Sequence, residues 1–156
     1  MRIVRAVRRA ALLLASLVLA GCGGGDEPEP AGAFVTTLIR DLGSGKTEKA
    51  WESLHPLHRE QVPRARYVDC ESGDRFGGAV TKVDVLDVKE EPAAIPGQFG
   101  KRPSTAVTVG VTLDVPESEE SERFTLTAHV FVTGGKWSWV IGPVDYAAYM
   151  TGNCPS

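Results

Sequence analysis

The sequence predicts an α+β domain in which N-terminal helices pack on a curved antiparallel sheet of about four strands. Apolar residues recur with helical spacing between residues 33 and 70, and the period changes to two from Gly78 onward. The dipeptide Gly134-Gly135, between two alternating segments, indicates a two-residue hairpin turn. We therefore expect one domain over residues 33–156, with its helices preceding its strands.

The first 21 residues have the pattern of a bacterial export signal. Basic residues come first and the apolar run Ala10–Ala20 follows. This run is shorter than the ~20 residues that a membrane-spanning helix needs, which predicts a cleaved signal. Leu19-Ala20-Gly21-Cys22 resembles the bacterial lipobox, and the resemblance implies that Cys22 is diacylated and becomes the N-terminus. A plain secretory signal with a chance cysteine is the alternative.

The charge of the processed chain excludes several classes of partner. Removing the four arginines before Cys22 leaves 13 basic against 20 acidic residues. An acidic domain without a basic stripe is a poor candidate for binding nucleic acid or anionic lipid head groups. Residues 22–32 are rich in Gly, Pro and acids, which predicts a flexible tether that holds the domain at the outer face of the cytoplasmic membrane.

Two cysteines remain after Cys22. In an exported chain, Cys70 and Cys154 most economically form one disulfide, since two thiols allow a single connectivity. Two unpaired, buried cysteines are the alternative.

Helical spacing predicts three helices. The first ends at Gly43, and its apolar positions are Phe34, Val35, Leu38, Ile39 and Leu42. The second begins near Thr47 and is stopped by Pro56, and it buries Ala50, Trp51 and Leu54. Pro63 suits a first helical position, which predicts a third short helix toward Cys70.

The strands follow from alternation. Ala79–Val88 loses its alternation between Val85 and Leu86, which predicts a bulge or strong bend. Thr105–Val115 and Phe124–Val132 alternate regularly. The positions expected to face the helices are Val107, Val109, Val111, Leu113, Phe124, Leu126, Ala128, Val130 and Val132.

The Gly-Gly turn fixes one register for the last hairpin. A two-residue loop pairs Thr133 with Lys136, Val132 with Trp137, Val130 with Trp139, and Ala128 with Ile141. Both tryptophans then face the helices. His129 is predicted to lie on the opposite face with Phe131 and Val140, in a structural role.

The element order resembles that of a known superfamily. Phe34-x-x-x-Leu38, Gly45 before Ala50-Trp51-x-x-Leu54-His55-Pro56, and Tyr67-x-x-Cys70 are similar to the nuclear transport factor 2-like superfamily, and more narrowly to its actinobacterial lipoprotein members. The resemblance implies a cone-shaped cavity between sheet and helices. The residues expected to line it are Trp51, Val109, Val130, Trp137 and Trp139. It implies no particular function, because the fold hosts enzymes, transport factors and binding modules.

Two segments mimic ligand sites, but neither completes the required pattern. Gly43–Thr47 suggests a phosphate-binding loop, yet Arg40 stands where the first glycine is needed, so an interhelical turn is predicted. Glu52, His55 and His58 have zinc-compatible spacing, but Pro56 interrupts the helix that would align them. We therefore predict no metal and no cofactor, and expect one packed and one exposed imidazole at a helix end.

Two further segments connect predicted strands. The acidic run 117–122 lacks the alternating ligands of a calcium loop and is predicted to be a solvated hairpin tip. The loop Lys89–Ser104 is long for a hairpin connection. Plain surface decoration is predicted for it, and folding over the cavity or meeting a partner are the alternatives.

The predicted function follows from the chemistry of the inward positions. They are Val, Leu, Phe, Ala, Ile and Trp, none of which transfers a proton, so no catalytic residue is predicted. Tyr67, Tyr146 and Tyr149 are expected near the cavity edges. The sequence therefore predicts a membrane-anchored, non-enzymatic module that binds an envelope protein, a small apolar ligand or a second copy of the chain. An isomerase or dehydratase and a structural spacer are the alternatives.

Overall fold

The computed structural model describes residues 29–73, 76–116, 118 and 120–155. The predicted signal, Cys22 and most of the tether lie outside the described residues. Helices and strands follow one another in this order: α1 (Ala31–Gly43), α2 (Thr47–Glu52), α3 (Pro56–Gln61), α4 (Arg64–Cys70), β1 (Ala79–Glu90), β2 (Ala93–Ala94), β3 (Lys101–Arg102), β4 (Thr105–Asp114), β5 (Glu122–Thr133), β6 (Lys136–Trp139) and α5 (Pro143–Met150). The main sheet is antiparallel with strand order β1-β4-β5-β6, which confirms the α+β fold class.

Helix α1 lies along β1 and begins earlier than predicted. Ala31 and Gly32, assigned to the tether from the sequence, are buried in its first turn. Pro30 stands before them as the N-cap, and its carbonyl accepts the Ala33 N–H of the first turn at 2.9 Å. The helix ends at Gly43 as predicted, where a Cβ atom would come within 2.3 Å of Cγ2 of Val80, so glycine permits the close approach of α1 to β1.

The segment after α1 forms three short helices rather than two. The turn Gly43–Thr47 connects α1 to α2, as predicted. Helix α2 then ends at Glu52, and Pro56 begins α3, because its fixed φ suits a first helical position. His55 caps α3, since its Nδ1 accepts a hydrogen bond from the Leu57 N–H at 3.3 Å.

Strands β1 and β4 form the half of the sheet under α1. The predicted bulge is confirmed by a register shift between Val85 and Asp87, and a second shift lies between Val80 and Lys82. The helix-facing residues of β4 are all buried, as predicted: Val107, Val109, Val111 and Leu113.

Strands β5 and β6 pair in the predicted register over the turn and the next two inward pairs, Val132 with Trp137 and Val130 with Trp139. Val132 occupies the predicted face but is 55% exposed, because α1 begins short of it. The predicted pairing of Ala128 with Ile141 is wrong, since β6 ends at Trp139.

The termination of β6 has a tertiary cause. The Trp139 N–H donates to the Ser53 carbonyl at 3.1 Å, and the His55 N–H donates to the Trp139 carbonyl at 2.7 Å. Two residues later the Ile141 N–H donates to Nδ1 of His58 at 3.0 Å. The segment between α2 and α3 therefore draws the chain away from β5.

Helix α5 was not predicted, and it returns the chain to α4. The sulfur atoms of Cys70 and Cys154 lie at bonding distance, 2.01 Å, with their Cα atoms 5.2 Å apart. Tyr67 and Tyr149, expected at the cavity edges, are instead buried and stacked with their ring centroids 6.1 Å apart. The Tyr149 hydroxyl donates to Oε1 of Glu71 at 2.8 Å, which satisfies the phenol inside the core.

Candidate ligand-binding cleft

The early end of β6 leaves part of β5 without a neighbour. Strand β5 pairs with β4 along one side, but its other side pairs with β6 only from Val130 to Thr133. Among the described residues, the stretch Glu122–His129 has no strand partner on that side. An unpaired edge exposes backbone donors and acceptors, and natural proteins usually cover it.

A cleft of about 420 Å³ runs along this edge, between α1 and the segment that follows β6; we call it the β5 cleft. Its apolar walls are formed by Leu38, Ile39, Leu42, Phe76, Leu126, Ala128, Trp139 and Ile141. Thr127, His129 and Asp145 supply the polar part of its lining. The space is therefore mainly apolar, with polar groups at its outer side.

The sequence identified the cavity-lining residues only in part. Trp139 lines the β5 cleft, whereas Val109 is fully buried beneath α1 and borders no open space there. Val130 and Trp137 line a separate hollow beyond the start of α1. Trp51 is half-buried on α2 and donates its indole N–H to the Val62 carbonyl at 2.9 Å, away from the cleft.

His58 joins three segments around the cleft. Only 1% of this residue is exposed. Its Nδ1 accepts the Ile141 N–H, so its Nε2 carries the proton and donates to the Pro96 carbonyl at 3.1 Å. The ring stacks on Tyr146 with centroids 4.6 Å apart. Burial lowers the pKa of His58, the positive charge of His55 lowers it further, and the bond to Pro96 acts in the opposite direction.

His58 is the residue whose role sequence reasoning missed. Its partners Pro96 and Ile141 are far along the chain, and a single imidazole on a short helix carries no local signal of such contacts. The predicted packed imidazole is His58, but His55 is not the exposed one. His55 is half-buried and lies edge-on to Phe131 with ring centroids 5.8 Å apart. Burial, followed by the charge of Arg59, lowers the pKa of His55.

The histidines are held by the protein rather than arranged around an ion. Glu52 ends α2, while His55 and His58 belong to the start of α3, so the trio does not share one helical face. Nδ1 of His55 accepts a backbone N–H, and both nitrogens of His58 are engaged. No group of three or more His, Cys, Asp or Glu in the described part of the chain could hold a metal ion.

His129 lies on the outer sheet face as predicted, but it has a partner that the sequence did not reveal. Its Nδ1 is 3.3 Å from Oγ of Ser104, and the Ser104 hydroxyl donates to the Glu91 carbonyl. Because the hydroxyl proton points to Glu91, the serine oxygen is left to accept the imidazole N–H. A base-activated serine nucleophile requires the reverse direction of donation.

Part of the long loop after β1 borders the cleft, so the prediction of plain surface decoration is wrong. Strand β1 extends to Glu90, and β2 and β3 pair within the loop. Ile95 is buried, while Ala94 and Pro96 line the β5 cleft. The loop therefore forms one wall of the cleft.

The predicted acidic hairpin tip lies between β4 and β5, where Asp114 ends one strand and Glu122 begins the next. Glu117 and Glu119 lie outside the described residues. Within the described residues, none of the helices is both long enough and apolar enough to cross a membrane.

Comparison with models of protein families, with curated proteins and with solved structures gave no match.

Proposed function

We propose that this chain is an exported lipoprotein whose domain binds a small apolar or amphipathic molecule in the β5 cleft without transforming it. The observation that carries the proposal is the cleft itself, with a volume of about 420 Å³. Ligand pockets of proteins commonly measure about 300 to 1,000 Å³ and are lined mainly by apolar side chains with a few polar groups. The β5 cleft has both properties.

The distribution of polar groups suggests how such a ligand lies. Leu42, Phe76 and Trp139 offer apolar surface to a hydrocarbon or ring system. Thr127 and His129 lie on the outer side of β5 and suit the polar end of an amphipathic molecule. A fatty acid, a lipid fragment or a similar envelope compound has this division of polarity.

Binding is favoured over the alternative of an isomerase or dehydratase. His129 is the imidazole at the cleft, and its neighbour Ser104 already directs its proton to a backbone carbonyl. Among the described residues that line the cleft, Asp145 at the rim is the other side chain that could transfer a proton. Acid–base catalysis needs a group within hydrogen-bond reach of the reacting atom, and the cleft interior is hydrocarbon.

The cleft is tested by filling it. Ala128 lines the cleft and Thr125 is an exposed residue of the same strand, so Ala128→Phe and Thr125→Phe form a matched pair. The probe is N-phenyl-1-naphthylamine, a neutral fluorophore whose emission rises in apolar surroundings. We expect Ala128→Phe to weaken binding at least about tenfold, a loss of ~1.4 kcal/mol, and Thr125→Phe to leave it unchanged.

Equal affinity of the two variants, with both still folded by their thermal melting, would refute the cleft as the binding site. Binding by neither the variants nor the unchanged protein would refute the ligand-carrier function and favour a protein partner or a spacer.

The membrane address is tested at Cys22. Cys22→Ser should move the protein from the membrane fraction to the soluble fraction, because only the acyl chains hold it there. The measurement is fractionation with mass spectrometry of the N-terminal peptide. An unmodified Cys22 in the wild-type protein contradicts the lipoprotein proposal and leaves the cleft unaffected.

A further inference from the structure

Among the described residues, one end of the helix-facing side of the sheet is incompletely covered. Val132 is 55% exposed, and Trp137, its partner on β6, is half-buried. Helix α1 begins at Ala31 and does not reach them. We call the surface formed by Val132, Trp137 and the neighbouring Pro92 and Pro103 the tether-exit face.

The apolar residues of the tether-exit face lie together around a shallow hollow. A space of about 510 Å³ is bounded on its apolar side by Val130, Val132, Trp137, Pro92 and Pro103, and on its polar side by Glu90, Glu91, Ser104 and Thr105. Contiguous exposed apolar surface of this kind commonly marks an interaction site.

The chain enters the domain over this face. The indole N–H of Trp137 donates to the carbonyl of Glu29, the first described residue. Six residues separate Glu29 from Cys22. A fully extended chain of this length spans at most about 25 Å, so acyl chains on Cys22 hold this end of the domain near the bilayer.

We propose that the tether-exit face docks on the surface of the bilayer that holds the lipid anchor. The inference rests on the proposed lipidation of Cys22. Tryptophan is favoured at the boundary between head groups and hydrocarbon, and the exposed Val132 adds apolar area beside Trp137. Tethering makes the contact intramolecular, so a weak contact is sufficient to orient the domain.

The charges at the rim indicate which lipids the face accepts. Glu90 and Glu91 line the hollow, and Lys89 pairs with Glu91 at 2.9 Å. Because the acidic side chains there outnumber the basic one, the rim disfavours anionic head groups. Docking on zwitterionic phosphatidylcholine is therefore expected, which agrees with the acidic character of the whole domain.

The test uses the mature, lipidated protein reconstituted in phosphatidylcholine vesicles with brominated acyl chains. Bromine quenches nearby tryptophans. The indole N–H groups of Trp51 and Trp139 are bonded inside the protein, to Val62 and Ala50, whereas Trp137 lies on the docking face. We expect quenching in the wild-type protein and its loss in Trp137→Phe.

A matched pair of charge substitutions tests the face without removing a tryptophan. Val132→Asp should weaken docking about tenfold, since it removes roughly the 1.4 kcal/mol contributed by one apolar side chain. Val144→Asp, at an 80% exposed valine on α5, should leave the quenching unchanged. Thermal melting of both variants reports that they remain folded.

Vesicle flotation separates the two proposals. Protein that floats without quenching of Trp137 overturns the docking and leaves the anchor intact. Protein that does not float overturns the lipid anchor and the docking together. Equal effects of Val132→Asp and Val144→Asp on quenching would also overturn the docking. A dimer detected by light scattering and dissociated by Val132→Asp would overturn it too, and would assign the tether-exit face to a second copy of the chain.

Discussion

The two halves of the sheet differ in how their helix-facing sides are closed. Under α1 the core is closed: Val107, Val109 and Val111 of β4 are fully buried against a helix that contributes Val35, and Val83 of β1 is buried with them. Across β5 and β6 the cover is incomplete, which leaves the β5 cleft on one side of Trp139 and the tether-exit face on the other. The closed half is where α1 overlies β4, and the open half arises where α1 and β6 end.

The largest expected effect concerns the disulfide, which fastens the wall of the open half. Cys70 and Cys154 are 84 residues apart in the sequence. Helix α5, which precedes Cys154, borders the β5 cleft. In the chain-entropy account, a loop of this length stabilises the fold by about 4 to 5 kcal/mol. We expect the double variant Cys70→Ala/Cys154→Ala to lose that much in urea unfolding, and α5 to exchange amide hydrogens faster than β4.

A loss under about 1 kcal/mol, or equal exchange in α5 and β4, would contradict the proposed role of the bridge. Both proteins carry Cys22→Ser, so that the third cysteine does not react during the measurement. In the unreduced native protein, Cys70 and Cys154 should resist alkylation.

The second prediction compares the two tryptophans of β6. Trp139 is buried, its indole N–H donates to the Ala50 carbonyl at 2.8 Å, and its ring lies edge-on to Tyr67. Trp139→Ala should cost about 3 to 5 kcal/mol of unfolding free energy. Trp137→Ala, at a half-buried position, should cost about 1 to 2 kcal/mol. Similar losses would mean that the tether-exit face is packed as tightly as the core.

The smallest expected effect is a pH dependence of the unfolding free energy. It arises from His58, which hydrogen-bonds the backbone of Ile141 and Pro96. Its pKa is lowered in the folded state, so the unfolded chain takes up the proton first as the pH falls below about 6.5. Stability should therefore be full above that pH and decline as the pH falls toward the folded-state pKa. His55 adds in the same direction, since its pKa is also lowered.

His58→Gln retains an acceptor for the Ile141 N–H and removes the titration. We expect it to reduce the slope of unfolding free energy between pH 5 and 6.5 by up to about 1.4 kcal/mol per pH unit. Denaturant titrations at several pH values measure this slope. An unchanged slope would show that His58 does not hold the segments near the cleft through its neutral form.

The predictable part of the fold is the part governed by local rules. The alternation of β4 and the turn at Gly134-Gly135 determined which residues face the helices, and the register from Val130 to Thr133 followed. The break between Val85 and Leu86 likewise marked a real bulge.

The unpredicted part depends on contacts distant in sequence. The end of β6 is set by contacts with Ser53, His55 and His58, which lie more than 80 residues before it. The local alternation carries no trace of these contacts, and it therefore predicted that the strand continues to Ile141. The β5 cleft lies where β6 stops pairing with β5, so a sequence pattern that extended β6 gave no sign of the cleft. Helix α5 did leave a signal, since Pro143 at its first position is followed by Tyr146 and Tyr149 at helical spacing.

The Cys70–Cys154 bridge also affects what a proteolytic cut does to the protein. It closes a covalent ring that contains the whole sheet and the exposed loop between β1 and β4. A single cut in that loop leaves two fragments joined through sulfur, with β1 and β4 still paired across the nick. The cleaved chain should therefore remain assembled, and its two fragments should separate only in the presence of reductant.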